Sequence, residues 1–459
     1  MLKEQLAGWI DPPTQNRDCS CAYCGNAASF QPHACYKAHG LTFILLRCPT
    51  CQSLMADPGT PLAAPKLLLS GEREDVVRKG LKYHFEIGYS ASFVVACAIS
   101  AVSSAADQRS IFVDIGAGFG LGSYFVREIL GKDVLAVEPS LAGEFGRELF
   151  DLPMERALFE ELPDAVHRRM RARPVLINLN SVIEHLPLPY EAIRSIISAQ
   201  DVDVLAAVVP DGATVDPSEP FVSQMPTIAP GDHLHLPTAE GMSRLLSRVG
   251  FPYTHIARLG GLLVAVGAHR KVSSVSPQEI GAQAEALLRR LLLHPLPFVA
   301  RGAAARLLNE ATAAGQQDLQ TRMVDLLRTV VDRDAIRRVM YDEDLPYYLP
   351  VVGHSLGLAA LQKRDLETAR QWFSLVNDMG PAFIEQGVIY AANAVEYRWV
   401  ARLFLAHIDT VKGDTASAKG LLESVLHSSY DSHFGARRAV IDAAQKQLAA
   451  FDAMPVMNL

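Results

Sequence analysis

The feature that most constrains the fold of this chain is a strand followed by a glycine-rich loop. Residues 111–115 read Ile-Phe-Val-Asp-Ile, an apolar run typical of a buried parallel strand. The loop that follows carries glycines at alternate positions, Gly116, Gly118, Gly120 and Gly122. The spacing predicts a helix over about 122–130 and a second strand over 133–137. Such a loop lets the backbone approach a ligand closely.

The spacing of the glycines distinguishes two classes of ligand. A dinucleotide fingerprint, G-x-G-x-x-G, needs a third glycine at a position where the chain has Leu121 or Ser123. The observed pattern is D-x-G-x-G-x-G, with Asp114 inside the strand. It resembles motif I of the class I S-adenosylmethionine-dependent methyltransferases. A structural turn in another α/β domain is the alternative interpretation.

This resemblance implies a cofactor site formed by the loop and two acidic residues. S-adenosylmethionine would lie against Asp114, Gly116, Gly118 and Gly120. Glu138 follows the second strand, 24 residues after Asp114. An acid at that place can accept charge-assisted hydrogen bonds from both ribose hydroxyls.

The reaction site is expected after a strand predicted over 174–179. Residues 180–187 read Asn-Ser-Val-Ile-Glu-His-Leu-Pro, which resembles the Glu-His-Leu-Pro segment of motif IV in this family. The resemblance implies that Asn180 lies at the cofactor and that Glu184 and His185 are catalytic. His185 would be a general base for an acceptor that must lose a proton. The alternative is that His185 only lines the site.

Further candidates flank this core. His233 and His235 could face the acceptor or be structural, and they precede Thr238, a predicted helix N-cap. The aromatic stretch 83–89 could fold over donor or acceptor, or pack at a helix start. Residues 211–230 lack periodicity and are predicted to form a lid or an acceptor-binding loop.

Six of the seven cysteines lie in the first 51 residues. Two C-x-x-C pairs supply four thiolates for a closed, tetrahedral structural zinc site; they are Cys21, Cys24, Cys48 and Cys51. Disulfides and a redox pair are the alternatives, and a reducing compartment disfavours disulfides. One of the four ligands could be replaced by Cys19, Cys35, His33 or His39.

A cysteine ribbon directly before such a unit resembles a group that includes sugar C-methyltransferases and methyltransferases of glycan or natural-product clusters. The resemblance implies a small-molecule acceptor, such as a nucleotide-linked sugar or another glycan precursor. The stretch 56–65 is rich in proline, which places the end of the ribbon module near 56–75.

Strand and helix patterns alternate between residues 111 and 268. The strands are predicted over 111–115, 133–137, 174–179 and 203–209, and the helices over 122–130, 140–150, 160–171, 189–199 and 239–249. This alternation predicts an α/β fold with a doubly wound, mostly parallel, Rossmann-like sheet. A third strand near 154–158 is poorly marked. Gly260-Gly261 predicts a closing antiparallel hairpin, a feature also of the methyltransferase fold.

Beyond residue 272 the strand patterns fade, and apolar residues recur at helical spacing. Gly357, Ala369, Phe373 and Pro381 stand at the offsets of a tetratricopeptide repeat, and a looser copy is predicted over 399–426. Two copies are fewer than a free-standing array needs. A peptide-binding groove and a helical domain that packs on the enzyme or self-associates therefore both stay open.

Length and composition set the remaining expectations. The 459 residues predict two or three domains, here 1–75 for the zinc ribbon and linker, 76–271 for the methyltransferase and 272–459 for the all-helical part. A net charge of −7 argues against a nucleic-acid partner. The first residues lack a signal-peptide pattern, and the apolar stretch 93–106 is too short to span a bilayer. These features predict a cytoplasmic protein.

The sequence therefore predicts an S-adenosylmethionine-dependent methyltransferase with a small-molecule acceptor. The alternative from another class is a non-catalytic scaffold, with a vestigial methyltransferase fold, that recruits a protein through its helical repeats. A nicotinamide oxidoreductase is a third hypothesis, which the missing third glycine disfavours.

Overall fold

The computed structural model describes residues 8–38, 40–59, 73–86, 110–259, 261–271, 276–327, 336, 345–386, 388–428, 436 and 438–452. They belong to two compact units: unit 1 within 1–81, 90–216 and 227–289, and unit 2 within 82–89, 217–226 and 290–459. Several predicted features lie outside the described residues, namely His39, Gly260, the apolar stretch 93–106 and most of the predicted linker. The division into three domains stays a prediction.

The described strands all lie in unit 1. They are β1 (Gly8–Ile10), β2 (Arg17–Ser20), β3 (Ala27–Ala38), β4 (Leu41–Arg47), β5 (Leu54–Ala56), β6 (Ile111–Ile115), β7 (Asp133–Val137), β8 (Met154–Glu155), β9 (Val175–Asn180), β10 (Val202–Pro210), β11 (His235–Leu236), β12 (Tyr253–Leu259) and β13 (Leu262–Ala268).

The described α-helices are numbered along the chain. They are α1 (Glu74–Glu86), α2 (Leu121–Glu128), α3 (Leu141–Phe150), α4 (Asp164–Arg171), α5 (Pro189–Ala199), α6 (Phe221–Ile228), α7 (Ala239–Arg248), α8 (Pro277–Leu291), α9 (Pro297–Ala313), α10 (Gln317–Leu327), α11 (Leu349–Gln362), α12 (Leu366–Gln386), α13 (Val388–Val411), α14 (Thr415–Ser428) and α15 (Arg438–Asp452). Short 3-10 helices cover Phe159–Glu161, Ile183–His185 and Gly212–Thr214.

The main sheet of unit 1 has the strand order β12-β13-β10-β9-β6-β7-β8 among the described residues. From β10 to β8 the neighbouring strands are parallel, whereas β13 is antiparallel to both β10 and β12. The chain runs from β6 outward to β8 and then returns to the other side of β6 with β9. The topological switch point therefore lies between β6 and β9, where α/β sheets bind their ligands.

The mostly parallel sheet and its closing hairpin are confirmed, as is the helical C-terminal region. The four main strands lie within one residue of their predicted ends, because fully buried apolar runs mark them clearly. The weak third strand is only the two residues of β8. The stretch 211–230, predicted as an aperiodic loop, instead contains a 3-10 turn and helix α6, which includes Pro226.

The N-terminal strands form a second sheet with the order β1-β3-β4-β5-β11, and β2 pairs with β3. Strand β11 belongs to the segment that precedes α7, so the cysteine ribbon and the later part of unit 1 share a sheet. They also share an apolar core, in which Tyr23 and Leu46 belong to the same cluster as Ile177, Val209 and Leu245. The ribbon is thus packed into unit 1.

Unit 2 is helical among its described residues. Helices α11 and α12 approach closely at Gly357, where an added Cβ would lie 2.7 Å from the Phe373 ring. Phe373 and Ala369 are both fully buried there. The small residue therefore allows the close approach, and the aromatic ring fills the space between the helices.

Unit 2 contains two similar turns, one before α12 and one before α14. Arg364 and Gly413 both have positive φ, at 60° and 82°, and the aspartate after each caps a helix by accepting the N–H of Thr368 or Ser417. These turns are 49 residues apart in the sequence, longer than the 34-residue tetratricopeptide unit. Pro381 lies inside α12. The tetratricopeptide assignment stays a prediction.

Among the described helices, none is long and apolar enough to cross a lipid bilayer.

Candidate functional site

The glycine loop after β6 has one open position. Gly116, Gly118 and Gly120 have φ values of 70°, 53° and 77°, which favour glycine. A Cβ at Gly116 would lie 2.4 Å from Val182 Cγ2, and one at Gly120 would lie 2.6 Å from Leu152 Cδ1. A Cβ at Gly118 would meet no atom within 4 Å. The space beside Gly118 is therefore where a ligand could approach the loop.

Glu138 follows β7 and binds the backbone of this loop. Its Oε2 accepts the N–H of Gly118 at 2.8 Å, and its Oε1 accepts the N–H of Ser140 at 3.0 Å. Ser140 also caps α3 through its hydroxyl, which accepts from Ala142 N–H. A carboxylate offers about four lone-pair sites, so about two remain for other donors.

Asp114 is buried inside unit 1 beneath the loop. One carboxylate oxygen accepts from Asn178 Nδ2 at 2.7 Å, and the other accepts from Ser123 Oγ at 2.9 Å. Burial raises the pKa of Asp114, and these hydrogen bonds oppose that shift. The contacts join β6 to β9 and to the start of α2, which gives Asp114 a positioning role. Direct contact between Asp114 and a cofactor stays a prediction.

Asn180 is the last residue of β9, beside β6 at the switch point. Ser181 then turns the chain with a φ of 54°, and the 3-10 helix Ile183–His185 follows. The sequence prediction placed Asn180, Glu184 and His185 in one segment next to the glycine loop. The contact of Val182 with Gly116 brings that segment and the loop together.

Glu184 is a fully buried acid with an unusual environment. Its relative exposure is 0%, and neither carboxylate oxygen has a hydrogen-bond partner among the described residues. Desolvation raises its pKa to about 8. An acid in this state can hold a proton near neutral pH or bind a cation that enters the site.

Two histidines lie beside Glu184. His185 Nδ1 is 2.9 Å from the carbonyl oxygen of Asp232, and His233 Nδ1 is 2.6 Å from that of Thr227. The two rings are 4.8 Å apart between centroids. One nitrogen from each ring and one oxygen of Glu184 lie within 4.8 Å of one another. Burial lowers the pKa of His233 to about 4, so this ring is neutral.

The ribbon contributes Tyr23 to the same region. Tyr23 is fully buried, its ring packs edge-on against His235 at 6.1 Å, and its pKa is raised by burial and then by the charge of Glu184. The Tyr23 hydroxyl and His235 Nδ1 have no hydrogen-bond partner among the described residues. His235 Nε2 lies 3.3 Å from the carbonyl of Pro187. Burial lowers the pKa of His235 to about 4.

Sequence reasoning missed Asn178, Ser123 and Tyr23. Asn178 could have been predicted to have a buried hydrogen-bond partner, because it is an amide inside a mostly apolar strand. Tyr23 carried no signal, since its place between two knuckle cysteines says nothing about the residues across the fold.

The four predicted cysteine ligands come together. The Sγ atoms of Cys21 and Cys51 are 3.6 Å apart, as are those of Cys24 and Cys48. A zinc ion with Zn–S bonds of about 2.3 Å needs tetrahedral S–S edges of about 3.8 Å, whereas a disulfide needs about 2.05 Å. The cluster therefore fits zinc.

The two knuckles have matching backbone turns. Gly25 N–H donates to Cys21 O and Gln52 N–H donates to Cys48 O, and both donors have positive φ. The other proposed ligands that the structure describes lie elsewhere: His33 Nε2 is near Arg47 and Val215 O, and the cluster includes neither Cys19 nor Cys35.

Comparisons with known proteins yield loose matches. No protein-family model matches the chain, and no curated protein does. The chain is similar to the plantazolicin methyltransferase BpumL in complex with SAH, at 13% identity and a TM-score of 0.35, over 43% of this chain and 92% of that one. It is also similar to PigF with SAH, at 18% identity and a TM-score of 0.27, over 35% and 50%. Similarities at this level do not assign the chain to a family.

Proposed function

We propose that unit 1 binds S-adenosylmethionine and transfers its methyl group to a small-molecule acceptor. The observation that carries the proposal is the pair formed by Glu138 and Gly118 at the carboxyl edge of the sheet. Glu138 fixes the loop through Gly118 N–H and retains lone pairs, while the space beside Gly118 is open. S-adenosylmethionine fits this arrangement better than a dinucleotide does. Its ribose diol would lie at Glu138 and its amino-acid end at the loop, whereas the glycine pattern that accommodates a pyrophosphate is absent.

Each cofactor-binding residue then has a distinct task. Glu138 would accept hydrogen bonds from the ribose hydroxyls. Gly118 would keep a side chain away from the amino-acid end, while Gly116 and Gly120 let the loop pack closely against Val182 and Leu152. Asp114 holds Ser123 and Asn178 beneath the loop. Asn180 would line the cofactor at the switch point. The bound cofactor supplies a methyl group already activated on a sulfonium, so the protein's main contribution is alignment and exclusion of water.

The acceptor would lie beside Glu184 and His185. His185 has Nδ1 directed to Asp232 O, which leaves Nε2 as a possible base for an acceptor proton. A nucleotide-linked sugar or another glycan precursor is the acceptor class that the family resemblance favours. Zinc at Cys21, Cys24, Cys48 and Cys51 would be structural, because a full thiolate shell leaves no open position. We place self-association or a protein partner at the helical unit 2.

Calorimetric titration of the zinc-loaded full chain with S-adenosylmethionine tests the proposal. Wild type should bind one equivalent, and Glu138→Ala should weaken binding by about 100-fold, because charge-assisted hydrogen bonds are worth about 1.5–3 kcal/mol each. Glu144→Ala is the matched control, since that acid forms an exposed pair with Arg156 and should bind like wild type. Absence of binding by a folded wild type would instead favour the scaffold hypothesis.

A further inference from the structure

The side chain of Glu184 needs a partner that the described residues do not provide. A carboxyl group with both oxygens buried and unpaired destabilises an ordinary core, because it has lost its hydrogen bonds to water without replacing them. The cost is removed when a cation binds the carboxylate. No Lys or Arg is among the partners of Glu184 in the described part of the chain, whereas two histidine rings are adjacent.

The hydrogen bonds of the two histidines leave Nε2 as the ring nitrogen that can bind a metal ion. A backbone carbonyl can only accept a hydrogen bond, so the Nδ1 atoms of His185 and His233 carry their protons toward Asp232 O and Thr227 O. Each Nε2 therefore presents a lone pair. Metal-binding histidines typically donate the other ring N–H to a carbonyl or carboxylate in this way, which fixes the tautomer and the ring orientation.

The position of this group relates it to the cofactor loop. Val182, one residue before the 3-10 helix that holds Glu184 and His185, contacts Gly116 of the loop. The opposite side is held by the ribbon, because Leu234 N–H donates to Glu184 O and Ala56 N–H donates to Leu234 O. The segment with Glu184 and His185 is thus joined by backbone hydrogen bonding to the segment with His233, and by packing to the glycine loop.

We propose that Glu184, His185 and His233 bind one divalent first-row transition-metal ion, distinct from the zinc of the cysteine cluster. Two imidazoles and one carboxylate favour Zn²⁺, Fe²⁺ or Co²⁺ over Mg²⁺ and Ca²⁺, which prefer all-oxygen shells. Three protein ligands leave coordination positions open. On the proposed function, an oxygen atom of the acceptor occupies one of them, which makes the acceptor class a hydroxyl or carbonyl compound. His185 is then a ligand that lines the site, which is the alternative to its role as general base.

Cobalt is the probe for this site. Full chain loaded with a single equivalent of Zn²⁺, which the four thiolates bind first, is titrated with Co²⁺ by calorimetry, and Zn and Co are then counted by elemental analysis after gel filtration. Wild type should retain one Zn and one Co per chain. Glu184→Gln and His233→Gln should each weaken Co²⁺ binding by more than about 100-fold. Loss of a residue that only hydrogen-bonds to a metal ligand costs roughly 10- to 100-fold, and loss of the ligand itself should cost more. His255→Gln alters an exposed histidine on β12 and should retain the cobalt.

The outcomes separate this inference from the proposed function. Glu184→Gln keeps the size of the side chain, and the far-ultraviolet circular dichroism spectrum reports whether each variant is folded. Cofactor binding without any Co²⁺ binding by wild type overturns the metal site alone. Co²⁺ bound equally by wild type, Glu184→Gln and His233→Gln also overturns it. Co²⁺ bound by wild type and lost in both variants supports the site, even if wild type binds no S-adenosylmethionine.

Discussion

At the scale of single residues, the two buried acids Asp114 and Glu184 show how partners determine the role of a side chain. Both are nearly inaccessible to solvent, and burial raises the pKa of each. Asp114 accepts hydrogen bonds from Asn178 and Ser123, whereas Glu184 has no partner for either oxygen among the described residues. The hydrogen bonds of Asp114 account for its burial within the fold, whereas the burial of Glu184 needs another explanation.

Replacement of Asp114 tests its positioning role. Asp114→Ala should lower the free energy of unfolding by about 2–6 kcal/mol, because two buried donors lose their acceptor and each costs about 1–3 kcal/mol. Asp133→Ala should cost about 0–1 kcal/mol, since its ion pairs with Arg169 and Arg173 are exposed. Urea unfolding measures both values. Similar losses in the two variants would contradict the assignment.

Residue types of the site could be predicted from the sequence, but their partners could not. Asp114, Glu138 and the four cysteines stand in spacings that indicate their chemistry. The hydrogen bond from Asn178 to Asp114 joins residues 64 positions apart. The ring contact between Tyr23 and His235 joins residues that lie even further apart in the sequence. Only the register of β6 against β9, and of β5 against β11, brings these pairs together.

At the scale of secondary-structure elements, helix packing in unit 2 depends on glycines that have no special backbone angle. Gly357→Ala should lower the free energy of unfolding by about 1–3 kcal/mol, because the new Cβ overlaps the Phe373 ring. Gly420→Ala lies in α14 with no atom within 4 Å of the new Cβ, and it should stabilise the protein by about 0.5–1 kcal/mol. Thermal unfolding of the two variants should shift in opposite directions, and a shift of Gly357→Ala to higher temperature would be evidence against the packing.

Elements were predictable where burial produced a clear pattern. Strands β6, β7, β9 and β10 are mostly apolar and mostly buried, and the hairpin β12–β13 turns at Gly261. Strand β8 has two residues and no periodicity to recognise. Helix α6 was missed because Pro226 and the polar residues before it indicate a loop, and its helical state depends on tertiary contacts.

At the scale of the whole molecule, zinc bound by the four cysteines should stabilise the later part of unit 1 as well as the ribbon. Thr238 donates to Cys51 O and caps α7, and the ribbon shares its core with the main sheet. Removal of zinc by a chelator should therefore increase amide hydrogen exchange in β11 and α7 as well as in β4 and β5. Helix α12 provides an internal reference. Exchange that rises in the ribbon alone would refute this coupling.

Substitution of single cysteines tests which thiols bind the zinc. Cys48→Ser should retain about one zinc per chain fewer than Cys35→Ser, since Cys35 is buried in β3 outside the cluster. Equal zinc content in the two variants would show that the four cysteines do not form the site.

The pairing of β5 with β11 has a consequence for a living cell. Leu54 and Met55 stand opposite Leu236 and His235, only two residues after His233. On the proposed function and with zinc in the cluster, a zinc shortage in the cell would loosen the strand paired with this segment and so lower turnover. For the same reason, genetic exchange between related chains would have to transfer the ribbon together with the strands of its sheet.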